Sequence, residues 1–115
     1  MKLIIAGGRD FTDYGRLCHV LEKLLSVNKP EAIVCGMAKG ADALGHMWAR
    51  ENNIPVIEMP ADWNTHGKSA GYIRNKEMAQ VATHCICFWD NKSKGTKHMI
   101  DLAEEHNLKL RVVNY

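Results

Sequence analysis

Three short segments of this 115-residue chain combine glycine with cationic or hydroxyl side chains, the residue types that hold phosphate groups. Glycine lets the backbone approach an oxygen closely, arginine offers a two-pronged donor, and the free N–H groups at a helix start attract anions. The segments are residues 7–9 (GGR), 36–42 (GMAKGAD) and 90–96 (DNKSKGT). Their candidate ligand-binding residues are Gly7, Gly8, Arg9, Gly36, Lys39, Gly40, Asp42, Asp90, Ser93, Gly95 and Thr96.

Each segment taken alone also fits a tight turn or a helix cap, but three segments with the same chemistry together predict a phosphate site. Asp42 falls in the first turn of a predicted helix, where a carboxylate would repel phosphate. It could instead accept hydrogen bonds from ribose hydroxyls, or simply complement the positive end of the helix dipole.

A fourth segment, residues 60–71, has neither a helical nor a strand period and is rich in glycine, histidine, asparagine and aspartate. A structureless stretch of this length is unusual in so small a domain, so we expect a functional lid. Trp63, Tyr72 or Trp89 could stack on a base, and the two tryptophans fit equally well as anchors of the loop on the core. Here and in the helix start that follows, the candidate ligand-binding residues are His66, Lys68, Arg74 and Asn75.

Positive charge is concentrated in these segments. Residues 7–12, 36–42, 60–76 and 89–97 hold eight lysines or arginines against four aspartates, whereas the whole chain has a formal net charge of only +2. A net charge this small does not by itself imply a nucleic-acid partner. Its local concentration predicts an anionic ligand.

Other chemistries lack their sequence signatures. The GGR segment lacks the third glycine of the GxGxxG dinucleotide fingerprint, and no GxxxxGK[ST] loop, HxxxH pair or nucleophile elbow occurs. Cys85-x-Cys87 puts both sulfurs on one face of a strand, a poor start for a tetrahedral zinc site. We therefore predict no metal and no cofactor, and expect all four cysteines to be reduced, buried thiols.

The positioning elements follow from alternating aliphatic runs and helical periods. Strands are predicted at 3–6, 32–35, 55–59, 85–88 and 110–113. Helices are predicted at 41–49, 72–82 and 96–106, and a further helix has its apolar positions at 17–25 and Thr12 or Asp13 as its N-cap. This alternation predicts one α/β domain over residues 1–115: a Rossmann-like, three-layer fold with a parallel five-stranded sheet in the order 3-2-1-4-5 and helices on both faces. The candidate segments then leave the carboxyl ends of the strands, where such sheets bind ligands.

No apolar run approaches the roughly 18 residues that a membrane span needs, and the apolar start is too short for a signal peptide. We expect a cytoplasmic protein without a membrane partner. Homo-oligomerisation through the helical faces stays open.

These segments, in this order, resemble the YspA/YpsA-like branch of the SLOG superfamily, a Rossmann-like group found in bacteria and their phages. The resemblance covers nearly the whole chain through residues 7–11, 36–42, 60–68, 71–75 and 88–96. It implies a nucleotide or nucleotide-derived ligand. Two relatives in the superfamily are the Lonely Guy phosphoribohydrolases and DNA-processing protein A. DNA-processing protein A is similar to this chain at GMAKGAD, and this similarity implies single-stranded nucleic acid as an alternative ligand.

Lonely Guy proteins cleave the N-glycosidic bond of nucleoside monophosphates with an arginine and the glutamate of PGGxGTxxE. The matching stretch here begins at Ser93, and the glutamate position falls on Met99. A thioether cannot act as a base. A hydrolase of this kind would have to take its carboxylate from elsewhere, from Asp42, Asp90 or Asp10; the catalytic candidates are Asp42, Asp90 and Arg74.

Three functions are therefore compatible with the sequence. The leading hypothesis is a sensor or sequestering domain that binds a phosphate-bearing nucleotide or an ADP-ribose-like ligand. The alternatives are an N-glycosidic-bond hydrolase acting on a nucleotide and a module that binds single-stranded nucleic acid.

Overall fold

The computed structural model describes residues 1–26 and 28–115. Its strands are β1 (Lys2–Gly7), β2 (Ala32–Cys35), β3 (Val56–Glu58), β4 (His84–Trp89) and β5 (Lys109–Asn114). Its helices are α1 (Tyr14–Leu24), α2 (Ala41–Glu51), α3 (Trp63–His66), α4 (Ala70–Val81) and α5 (Lys94–Glu105), with a short 3₁₀ helix at Gly67–Ser69. All five predicted strands and all four predicted helices are present.

The five strands form one parallel sheet in the order β3-β2-β1-β4-β5, which confirms the predicted topology. In the central strand β1, Ile4 pairs with Val34 on one side and Cys85 on the other. β3, the least apolar run, lies at an edge of the sheet as expected. The order of the strands reverses between β1 and β4, so the carboxyl ends of these two strands flank the crevice where ligands bind in such sheets.

Two apolar layers cover the sheet, because successive strand side chains point to opposite faces. Leu3 and Ile5 of β1 pack with Leu17 and Leu21 of α1 and with α2. Ile4 and Ala6 pack on the other face with α4 and α5. β1 is therefore apolar from Leu3 to Ala6, and each fully buried leucine or isoleucine contributes about 1.5–3 kcal/mol of transfer free energy.

The expectation that residues 60–71 lack regular structure is wrong. Oδ1 of Asp62 accepts the N–H of Thr65 at 3.1 Å and so caps α3. The chain then continues through the 3₁₀ helix into α4, which begins at Ala70, two residues before the predicted start. α3 has only four residues and none is buried, so it carries no apolar period that sequence reasoning could detect.

All four cysteines are free. Cys35, Cys85 and Cys87 are buried, as expected, whereas Cys18 on α1 is only partly buried. Burial raises the pKa of the Cys35 thiol to about 11, which keeps it protonated and unreactive near neutral pH. Within residues 1–26 and 28–115, none of the helices is long and apolar enough to cross a membrane.

Candidate functional site

A cavity of about 510 Å³ opens at the carboxyl ends of β1 and β4. Its volume lies within the range of about 300–1,000 Å³ that is usual for small-molecule sites. Eleven of the predicted ligand-binding residues line it: Gly7, Gly8, Arg9, Asp42, Lys68, Arg74, Asn75, Asp90, Ser93, Gly95 and Thr96. Segments that are up to 89 positions apart in the chain, from Gly7 to Thr96, therefore meet in one place.

Four predicted residues do not line the cavity: Gly36, Lys39, Gly40 and His66. The side chains of Lys39 and His66 are exposed elsewhere. Gly36 and Gly40 support the site from behind, since Gly36 accepts a hydrogen bond from Arg74 and Gly40 packs against the backbone of Gly8 and Arg9.

The loop after β1 is held on two sides. The N–H of Gly8 donates to the carbonyl of Phe88 in β4 at 3.0 Å, and the carbonyl of Gly8 accepts from Phe11 and Ala41, both at 3.2 Å. Gly40 has φ 74°, which favours glycine, and a side chain there would collide with the carbonyl of Gly8. These contacts fix the backbone of the GGR segment, which carries Arg9.

Asp42 is a buried carboxyl group in the cavity wall, with only 5% of its surface exposed. Oδ2 accepts the N–H of Ala38 at 3.2 Å, and Oδ1 has no hydrogen-bond partner among residues 1–26 and 28–115. Burial raises the pKa of Asp42, and the Ala38 bond and the charges of Arg74 and Arg9 offset this only in part. In the described part of the chain, every completely buried side-chain oxygen has a hydrogen-bond partner. Oδ1 of Asp42 has none there, so it is at least partly accessible. Asp42 can therefore offer an acceptor to a ligand hydroxyl.

Arg74 extends from α4 across the cavity to the loop after β2. Nη1 donates to the carbonyl of Gly36, and Nε donates to Oδ1 of Asn75 at 3.0 Å. Nη2 makes no hydrogen bond within the described part of the chain, so one prong of the guanidinium is available to a ligand. Burial lowers the pKa of Arg74, and the nearby Asp42 partly restores it. Arginine stays charged all the same.

The start of α5 forms the opposite wall. Oδ1 of Asp90 accepts the N–H groups of Lys92 and Ser93, both at 2.8 Å, and these bonds lower the pKa of the Asp90 carboxyl. Oγ of Ser93 caps the helix by accepting from the N–H of Thr96 at 3.3 Å and from its hydroxyl at 3.0 Å. Asn75 ties this wall to α4, because Nδ2 donates to the carbonyl of Gly95 at 3.4 Å.

The charges that line the cavity are balanced. Arg9, Lys68 and Arg74 are the lining cations, and the lining carboxylates are Asp10, Asp42 and Asp90. The positive excess of the loops therefore lies outside the lining. Such a mixed lining suits a ligand that carries both anionic groups, for the cations, and hydroxyl donors, for the carboxylates.

The three candidate aromatic residues have different surroundings. Trp63 and Tyr72 line the cavity, and 52% of Trp63 is exposed. Trp89 instead packs against the core, and its indole N–H donates to the carbonyl of Ser93 at 3.1 Å. The anchor interpretation thus fits Trp89 and does not fit Trp63.

Sequence reasoning missed part of the lining. Ala6, Ala38 and Met78 line the cavity without any chemical signature that would single them out. Gly71 was recognised only as part of the family resemblance, and Asp10 only there and as a possible catalytic carboxylate, not as a ligand-binding residue. In residues 1–26 and 28–115, no group of three or more histidine, cysteine or carboxylate side chains could hold a metal ion.

Fold and site define a Rossmann-like α/β protein with a cavity at the switch point of its sheet. The YspA, cpYpsA-related SLOG family (YAcAr) matches residues 1–66, which is more than half of the chain. The chain is also 36% identical over 121 residues to the Gene 61 protein of Mycobacterium phage D29, with 99% of this chain and 95% of that protein covered. No solved structure matches the chain significantly. The protein belongs to the YspA, cpYpsA-related SLOG family.

Proposed function

We propose that this cavity binds a phosphate-bearing nucleotide or a nucleotide-derived, ADP-ribose-like ligand, and that the protein serves as a sensor or sequestering domain. One observation carries the proposal: Arg74 and the buried Asp42 line the same cavity, and within residues 1–26 and 28–115 neither Nη2 of Arg74 nor Oδ1 of Asp42 has a hydrogen-bond partner. A guanidinium N–H donates a strong hydrogen bond to a phosphate oxygen, and a desolvated carboxylate oxygen accepts one from a hydroxyl group. The two groups together match the phosphate and the ribose of a nucleotide.

The remaining lining residues support the same assignment. Arg9 and Lys68 add cationic donors, and the first turn of α5 adds backbone N–H groups at Gly95 and the hydroxyl of Ser93. These groups would hold phosphate, while Asp42 would accept from ribose. Gly40 is not assigned a contact with the ligand, because its part is to support Gly8. Membership of the SLOG family independently supports a nucleotide-related ligand.

Thermal stabilisation tests the proposal directly. The folded protein is heated with nucleoside mono-, di- and triphosphates, cyclic nucleotides, NAD and ADP-ribose, and each mixture is then analysed by mass spectrometry. A ligand at 100 times its Kd stabilises the folded state by about 2.7 kcal/mol, which is easily measured. Stabilisation without a reaction product would support a binding domain and identify the ligand class.

The absence of any shift across this panel would contradict the proposal. Single-stranded DNA is then the ligand to test, and binding of that kind should weaken steeply as salt is added.

A hydrolase is the second candidate function, and the burial of Asp42 is the observation that favours it. A carboxyl group whose pKa is raised in a cleft can hold a proton for a leaving base, as general acids do. Met99, which matches the glutamate of the Lonely Guy motif, also lines the cavity, so any carboxylate must come from another position.

Base release from nucleoside monophosphates is the test of this second function. Asp42→Asn should abolish release, and Asp90→Asn shows whether the other candidate carboxylate is needed. If the nucleoside monophosphates are all still intact after long incubation with the unaltered protein, the hydrolase function is excluded.

A further inference from the structure

We propose that Trp63 forms the wall of a base-binding subsite in this cavity, so that the ligand carries an aromatic base in addition to sugar and phosphate. This inference rests on the proposed function. It assigns a contact to the base, the part of the ligand that the phosphate- and hydroxyl-binding groups do not contact.

Trp63 has an apolar surface that its own fold does not cover. It is the first residue of α3, lines the cavity and is the most exposed large apolar side chain of the described chain, at 52%. Its indole N–H makes no hydrogen bond within residues 1–26 and 28–115. An indole face left in water beside a ligand cavity is well suited to stack on a planar base.

The other two aromatic candidates are already engaged. Trp89 is fixed by its bond to Ser93 and by core packing. The rings of Tyr72 and His98 make a T-shaped contact, with centroids 4.6 Å apart and an interplanar angle of 88°. Within residues 1–26 and 28–115, Trp63 is thus the aromatic residue of the lining that has no aromatic partner, and we assign the base to it.

Gly71 lies beside both Trp63 and Arg74. A Cβ atom at Gly71 would lie 3.6 Å from Cη2 of Trp63 and 4.0 Å from Nη2 of Arg74. The indole and Nη2 of Arg74 thus border the same point of the cavity. A ligand whose base lies on Trp63 could reach Arg74 with its sugar phosphate or with a ring acceptor.

The turn that carries Trp63 is held in place before any ligand binds. Asp62 caps α3 through Thr65, the N–H of His66 donates to the carbonyl of Asp62 at 3.0 Å, and Gly67 donates to the carbonyl of Trp63. Little ordering is then needed on binding, which favours affinity.

The test compares two probes that differ only in the base. Adenosine 5′-monophosphate and ribose 5-phosphate are titrated calorimetrically into the unaltered protein, Trp63→Leu and Trp63→Phe. The unaltered protein should bind the nucleotide about 5- to 150-fold more tightly, the usual range for stacking of one base. Trp63→Leu should abolish this preference with little change for ribose 5-phosphate, and Trp63→Phe should keep much of it.

Fluorescence supplies a readout that a merely structural role would not move. The nucleotide should quench indole emission in the unaltered protein, and Trp63→Phe should lose the quenching while calorimetry still detects binding. Quenching that persists in Trp63→Phe would come from another tryptophan and would overturn the proposal. An equal loss of affinity for both probes in Trp63→Leu would overturn it as well.

The outcomes separate this inference from the proposed function. If the unaltered protein binds both probes equally well, the base subsite is refuted and the phosphate and sugar site stands. If it binds neither these probes nor any nucleotide of the thermal panel, the proposed function fails and the base subsite fails with it.

Discussion

The hydroxyl of Tyr115 donates to Oδ1 of Asp10 at 2.5 Å and so joins the chain after the edge strand β5 to the loop after the central strand β1. The ring of Tyr115 lies 4.9 Å from that of Phe11, which stacks on Phe88 at 4.6 Å. The hydroxyl also lies against Gly8, where a Cβ atom would collide with it and displace it. The loop that carries Arg9 is thus fixed by a residue distant in sequence.

We expect Tyr115→Phe to weaken ligand binding as well as folding. Removing one hydrogen bond should lower the free energy of unfolding by about 1 kcal/mol. The loop loses the bond that ties its Asp10 to Tyr115, so Arg9 should hold the ligand less well. Urea unfolding and calorimetric titration measure the two effects.

Tyr14→Phe is the matched control for this prediction. Its hydroxyl donates to Oε1 of Glu51 at 2.8 Å, and neither residue lines the cavity. This variant should lose similar stability and keep full affinity. Equal affinity losses in the two variants would show that general destabilisation, and not the loop, is responsible.

Arg9→Ala should cost about 1.5–3 kcal/mol of binding free energy, the contribution of a hydrogen bond to a charged group. Arg111→Ala removes the same charge from the exposed edge of β5, outside the cavity, and should leave affinity unchanged. Calorimetry with the ligand that gives the largest thermal shift makes the comparison. If the two variants behave alike, Arg9 makes no specific contact.

Asp42→Asn should make the free protein more stable at neutral pH and its ligand binding weaker. Burial raises the pKa of Asp42 above 3.8, so the folded state holds a proton that the unfolded chain releases. Stability therefore falls as pH rises from 3.8 through the higher folded pKa, and the variant avoids this loss. The amide oxygen can still accept from Ala38, but the second carboxylate acceptor is gone.

Thermal unfolding measured from pH 7 down to pH 3.5 checks the prediction for Asp42. The stability advantage of Asp42→Asn should shrink as the pH approaches 3.8, because the carboxyl then becomes protonated in both states. An advantage that is independent of pH would mean that ionisation of Asp42 is not its cause.

Two glycines should respond in opposite ways to replacement by alanine. Gly40→Ala forces a side chain into a backbone conformation reserved for glycine and against the carbonyl of Gly8, so we expect a loss of at least about 1–3 kcal/mol of stability. A Cβ at Gly95 meets no atom within 4 Å, and this position is helical. Gly95→Ala should therefore stabilise by about 0.5–1 kcal/mol. Urea midpoints of the two variants provide the test.

The local sequence pattern was sufficient to predict the strands of the sheet and their order. A parallel strand is buried on both faces, so runs such as Leu3 to Ala6 and Cys85 to Phe88 carry a strong signal, and right-handed crossovers leave few ways to order them. The sequence did not predict α3, because its four exposed residues show no hydrophobic period. α5 begins two residues before its predicted start because Ser93 supplies the cap.

Residue types in the sequence also predicted which edge of the sheet carries the cavity, since glycine, arginine and hydroxyl side chains follow β1, β2 and β4. Only the tertiary structure assigned each side chain its place. It packed Trp89 against the core and left Trp63 exposed, turned Lys39 and His66 away from the cavity, and brought Arg74 beside Asp42. Backbone preference acts over a few residues, whereas these placements depend on how segments far apart in the chain pack against each other.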